Sequence, residues 1–203
     1  DRSLYGGDCR VEAFKLPVLT GSLKISSQSG AGALVAPKAL NADVQIAYVS
    51  GGAAGQLPVS LSGVARDKSV HFDGYEDYSF DEPKAGDSSQ GEEDGQAGFG
   101  SGSASEDTQS LFLNKKSIVL DAQGGGRLAL DSLPEFKRAQ DLLFEASFAD
   151  PNGEIQTLSQ TVPVWPASVL AGIHAESWVQ MGQPTAVRGV ALSPTGLPQA
   201  NVA

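Results

Sequence analysis

The chain has a single cysteine, Cys9, within Tyr5-Gly6-Gly7-Asp8-Cys9-Arg10. A lone thiol excludes an internal disulfide framework and leaves the redox compartment open. Histidine is almost as scarce: His71 and His174 both sit in strand-like runs, and neither has a catalytic spacing to Cys9. A cysteine nucleophile requires a partner base, so Cys9 reads as an incidental or partly buried thiol. A Ser-His-Asp triad is a matter of geometry that spacing does not reveal, and no constellation of that kind stands out. The expectation is a chain that is not an enzyme, with no catalytic residues, no cofactor and no metal site.

Long apolar runs are missing as well. No stretch of about 18 apolar residues occurs, the length a membrane helix needs, so no direct membrane insertion is expected. The first residues lack the basic, apolar and small-residue succession of a signal peptide. Positive charge is in short supply: 14 Lys and Arg face 24 Asp and Glu, a net charge of -10. Phosphate neutralisation needs a basic face, and its lack argues against nucleic acid as a partner. The negative charge is also uneven, because residues 81–107 hold eight acids against Lys84 alone while the remainder is nearly balanced.

What remains is a pattern of strands. The 40% apolar content of 203 residues is enough for a real core, and a 7% aromatic share with 24 glycines suits many strands and turns. Residues 1–9 read as a polar leader and Arg10–Phe14 as a strand that Pro17 breaks, since proline cannot donate to a ladder. Val18–Ser26 resumes an extended pattern with Leu19, Gly21, Leu23 and Ile25 on one side. Asn41–Val49 alternates cleanly, with Ala42, Val44, Ile46 and Tyr48 facing one way, the period of a half-buried strand. After a turn at 50–55, Leu57–Ala65 reads as the next strand and Val70–Phe80 as one or two more, with Tyr78 and Phe80 in register. The segment 81–107 offers almost nothing to bury and reads as a solvated loop.

Strand signals return at Ser110–Leu113, Ser117–Asp121 and Arg127–Leu130, the last two joined by a turn at Gly124-Gly125-Gly126. Ser132-Leu133-Pro134-Glu135 has a capping-box spacing, although a plain loop is the simpler reading. Asp141–Ala149 alternates strongly through Leu142, Phe144, Ala146 and Phe148. Asp150-Pro151-Asn152-Gly153 is a tight turn, and Glu154–Val164 runs back from it to complete a hairpin. Beyond it, Ile173-His174-Ala175 continues an extended run and Pro184–Leu192 is a strand.

The run Thr161–Ile173 loosely repeats Val11–Gly21. Each is apolar up to a proline and then opens a new strand with Val-Leu, a small residue and Gly. Gly196-Leu197-Pro198 similarly echoes Gly55-Gln56-Leu57-Pro58. The offsets are 151 residues from Gly21 to Gly172 and 140 from Leu57 to Leu197. Without the acidic insertion the repeat is on the order of 120 residues, the size of a sandwich domain. The expected fold is therefore all-β, an antiparallel β-sandwich of about seven strands, with the first strands of a second similar domain behind it. The expected organisation is 1–17 as a leader and last strand of a preceding module or linker, 18–165 as the sandwich with a flexible acidic insertion at 81–108, and 166–203 as the start of the next unit.

Arg10–Pro17, Pro37–Val44, Gly55–Val59, Gly74–Phe80 and Val162–Pro166, in that order and spacing, resemble the macroglobulin-like domains of the α2-macroglobulin family, especially its bacterial members. The resemblance implies a fold related to fibronectin and immunoglobulin sandwiches. It also implies a parent that traps target proteinases after they cut a bait segment, working in the periplasm and often lipid-anchored to the inner membrane. The implied partners are neighbouring domains of the same parent and, through it, proteinases. The family's Cys-x-Glu-Gln thioester motif is not matched, since Cys9 is followed by Arg10, Val11 and Glu12, and no lipobox is present. This stretch would be scaffold. The competing class is an immunoglobulin-like repeat of a bacterial cell-surface adhesin stalk, and a carbohydrate-binding module is a third.

Three sharper ideas attach to particular residues. Asp73, Glu76, Asp77, Asp81 and Glu82 supply hard oxygens for calcium, but no Asp-x-Asp-x-Asp-Gly spacing orders them. Lys84 and Phe99 would make the acidic segment a proteolysis target, as in any exposed loop; a tolerated insertion between strands is the plainer reading. Trp165 and Trp178 flank the module junction, where prolines and apolar neighbours favour packing between modules over a sugar platform.

Overall fold

Alternating side chains commit most of the chain to strands. The computed structural model describes residues 17–28, 32–81, 109–175, 185–200 and 202. These form β1 (Leu19–Ser27), β2 (Leu34–Val35), β3 (Leu40–Tyr48), β4 (Pro58–Asp67), β5 (Gln109–Val119), β6 (Gly125–Leu130), β7 (Gln140–Ala149), β8 (Ile155–Trp165), β9 (Leu170–Ala175) and β10 (Val187–Leu192), with no helix among the described residues. Two sheets build the sandwich, one in the order β1-β3-β6 and one in the order β2-β8-β7-β4-β5. A separate two-stranded sheet pairs β9 with β10. The fold is the all-β sandwich that the strand pattern implies.

The core is where the alternating faces meet. Ala42, Val44 and Ile46 of β3, Val59, Leu61 and Ala65 of β4, and Leu142, Phe144, Ala146 and Phe148 of β7 are all buried. Each large side chain removed from water in this way contributes about 1.5–3 kcal/mol. Phe144 is fully buried and meets Phe112 edge to face, with ring centroids 5.4 Å apart. The expected hairpin β7–β8 forms, with Ala149 opposite Ile155. Its turn is organised by buried Asp150, whose Oδ1 accepts from the amides of Asn152 (2.8 Å) and Glu154 (2.9 Å).

Several details differ from the sequence reading. Residues 70–80 are not a strand. Gly74 has φ +82°, the Tyr75 amide donates to Phe72 O and the Tyr78 amide to Tyr75 O, so the segment coils through successive turns. Asp-Gly turn chemistry overrides the apolar spacing there, and only Ser79 pairs in ladder fashion, with Ile173. The two pieces expected at 110–113 and 117–121 are one strand, β5, with register shifts against β4 between Leu61 and Val64. Extra residues at this bulge, near Lys115 (φ +41°), break the period of two.

The turn after β5 lies two residues earlier than expected, at 122–124. Asp121 Oδ1 accepts from the amides of Gln123 and Gly125, both at 2.8 Å, while Gly125 and Gly126 already belong to β6. This connection carries the chain from one sheet to the other. Residues 131–137 are loop rather than helix. One short pair, β2 with the end of β8, is parallel, because the chain reaches β8 from the loop after β1 rather than by a hairpin. Arg10–Phe14, and the insertion from residue 82 to 108, lie outside the described residues.

Candidate functional site

The sandwich meets the β9–β10 sheet at the end of β8. Pro166 follows Trp165 and cannot donate a ladder hydrogen bond, so pairing stops and the chain re-enters a strand at Leu170. Trp165 is 7% exposed and clusters with Val70 and Ala139, with Val35, Phe72, Phe80 and Leu170 packed around them. The Trp165 indole stacks on Phe72 (centroids 6.4 Å, interplanar angle 21°), and Phe72 meets Phe80 edge to face (5.0 Å, 79°). A buried tryptophan does not form a sugar platform; it forms the floor of a junction.

The segment 70–81 spans that junction. The Ser79 amide donates to Ile173 O (2.8 Å) and the Ile173 amide to Ser79 O (2.9 Å). Asp77 O lies 2.8 Å from His174 Nδ1, within hydrogen-bond distance, and the Tyr78 ring lies against the imidazole with centroids 5.6 Å apart. His174 is thus an orienting contact, and exposed His71 is not brought to it by any contact described. Both glycines of the tail that face this segment are closely approached: Phe80 lies over Gly172 and Phe72 over Gly196.

Beside the junction lies a cleft of about 460 Å³ whose apolar floor includes Val70, Phe80, Ala139 and Leu170 and whose rim includes Lys68 and Lys137. Lys68 Nζ pairs with Asp141 Oδ2 at 3.1 Å. A second groove of about 430 Å³ runs between the end of β1 and β8, lined by Ile25, Leu34, Val162 and Pro163 among others. The residues lining either cavity include no histidine or cysteine. The arrangement binds chain to chain.

The calcium candidates are dispersed. Glu76 Oε1 accepts the Gly74 amide at 2.8 Å, and that bond, reinforced by a second backbone hydrogen bond, holds its carboxyl below the usual carboxylate range. Among the described residues no three His, Cys, Asp or Glu side chains converge to hold a metal. Glu82, Lys84, Phe99, Trp178 and Cys9 lie outside the described residues. At the far side of the sandwich, a hydrogen bond from Arg127 to Asp43 raises the guanidinium pKa further. Sequence reasoning passed over Phe72 and Gly196 as junction residues. It read Gly172 as a repeat marker, although a glycine inside a strand is itself a sign of close approach.

No family model and no curated protein matches this sequence. Solved structures do match. Trypsin-activated alpha-2-macroglobulin from Escherichia coli has a TM-score of 0.58 at 16% identity, covering 90% of this chain and 12% of that one. The elastase-activated Escherichia coli protein gives 0.54 at 18% identity, with 87% and 14% covered. The native conformation gives 0.54 at 17%, with 87% and 11% covered. At these identities the shared property is the fold. The chain spans 11–14% of the length of the structures it matches.

Proposed function

We propose that this chain is a scaffold piece of a larger, bacterial α2-macroglobulin-like proteinase trap. The observation that carries the reading is the likeness of 87–90% of this chain to a small part of Escherichia coli alpha-2-macroglobulin, in structures activated by trypsin or elastase as well as in the native form. The junction supports it, because β8 continues through Trp165 into a sheet clasped by residues 70–81, as a link in a series of packed modules requires. On this reading the chain does no chemistry of its own. It holds neighbouring modules of its parent in register while a bait segment elsewhere is cut, and the parent works in the periplasm, held to the inner membrane by a lipid.

The test uses the full-length parent. Incubation with trypsin or elastase is expected to leave the proteinase active on a small chromogenic peptide while blocking its action on a large protein substrate. Equal activity on both substrates sinks the trapping role. Fractionation that recovers the parent from the cytoplasm sinks the location.

A further inference from the structure

We propose that residues 70–81 form a two-point latch that fixes the angle between the sandwich and the β9–β10 sheet, with Phe80 and Phe72 as knobs and Gly172 and Gly196 as their sockets. This deepens the scaffold reading by naming what makes the link rigid, and it does not depend on whether the parent traps proteinases.

Gly172 is the most informative residue. It lies mid-strand in β9, is buried, and its φ is outside the left-handed region, so its backbone has no need of glycine. Glycine in a strand interior weakens the strand, because it has more backbone freedom to lose and no side chain to pack. The reason for it here is space: a Cβ at Gly172 would stand 2.5 Å from Phe80 Cε1 and 2.6 Å from Cζ. The Phe80 ring therefore rests directly on the β9 backbone. At the second point Gly196, in the turn that follows β10, is already called for by its left-handed backbone (φ +79°), and Phe72 Cδ1 would lie 3.1 Å from an added Cβ, a tight contact of lesser severity than the one at Gly172.

Two contacts separated along both partners resist rotation, where a single contact would act as a pivot. Phe72 and Phe80 pack edge to face on each other, and Phe72 stacks on Trp165, so both knobs are braced by the last residue of β8. The paired Ser79 and Ile173 amides set the depth at which Phe80 seats. The orientation of the tail sheet thus depends on the β4–β5 connection, a segment far from it in sequence.

The test reads the angle through a distance between the two units in the 203-residue chain. In a Cys9→Ser background, spin labels at Glu145→Cys on β7 and Arg188→Cys on β10, both exposed sites, report the distance between the two units by pulsed electron resonance. The parent variant is expected to give one narrow distance peak. Phe80→Ala is expected to broaden or split it, and Gly172→Val to shift it, with Phe80→Leu intermediate. Phe80→Ala decides the matter because it alters no atom of β9 or β10. Hydrogen exchange at the β9–β10 ladder amides checks that the sheet persists. A peak that stays narrow and unmoved in Phe80→Ala overturns the latch, as does a broad distribution in the parent variant. Neither result bears on proteinase trapping, which the two-substrate assay decides separately.

Discussion

Among the described residues two phenylalanine rings lie on mid-strand glycines, Phe112 on Gly63 within the sandwich and Phe80 on Gly172 at the junction. The local device is the same, since a Cβ would stand 2.6 Å from the nearest Phe112 atom and 2.5 Å from the nearest Phe80 atom. The surroundings differ. Phe112 is delivered by β5, which is hydrogen-bonded along β4, and its ring meets Phe144 in the core. Phe80 is delivered by a coiled segment in which Ser79 alone makes a strand-like pair. A close approach backed by a ladder that pairs on both sides of its bulge belongs to the cooperative core, whereas one backed by a single bridge can open without unfolding the rest.

The largest expected effect tests the core side of that contrast. Phe144→Ala should cost about 3–5 kcal/mol in urea unfolding, as the lost burial and the cavity add. Phe80→Ala should leave the sandwich midpoint unchanged and the β9–β10 ladder amides protected, and remove exchange protection only from the Ser79 and Ile173 amides that bridge the junction. Equal costs for the two would make the junction part of the core. Next comes Gly124, which has φ +75° and whose added Cβ would collide with the Ile46 carbonyl oxygen. Gly124→Ala should cost about 2 kcal/mol or more, because left-handed backbone and a backbone clash coincide.

A third pair of variants compares two turns with the same design. Asp150 and Asp121 each accept backbone amides two and four residues on, but Asp150 is buried and Asp121 exposed. Asp150→Ala should cost about 2 kcal/mol, because two turn amides lose an acceptor that is itself shielded from water, and Asp121→Ala should cost less since water replaces it. Asp150→Asn, which retains an acceptor oxygen, should recover part of the loss in the same thermal melts.

The smallest effect concerns the latch. The Glu76 carboxyl is held below its ordinary value by the Gly74 amide. Its stabilising contribution is therefore present above the ordinary value and is lost as pH falls through the lowered one. Exchange protection at Gly74 should fall over that acidic window in the parent chain and show no such step in Glu76→Gln. A step that persists in Glu76→Gln would assign the titration to another group.

Much of the sandwich was legible. β7 carries an unbroken period of two and β3 does so as far as Ile46, so their buried faces, Ala42-Val44-Ile46 and Leu142-Phe144-Ala146-Phe148, could be named directly, whereas Tyr48, expected on the same face of β3, is exposed at the end of the strand. The Asp150–Gly153 turn was legible because its residue types admit few conformations. β5 was not legible as one strand, because a bulge inserts residues that shift its period. The junction was the least legible region. Val70–Phe80 has the apolar content of a strand but spends it on Trp165 and on two glycines about a hundred residues away in sequence.

The sequence by itself determined that the chain is built of strands with one apolar side and where most of them turn. These properties are local, because alternation, proline and glycine act on neighbouring bonds. Only the tertiary structure decided which strands share a sheet, that the β5–β6 turn crosses between sheets, and that Phe72 and Phe80 seat on the tail. Those outcomes depend on which distant surfaces fit together, and fit between surfaces is a property of the packed chain that no local spacing encodes.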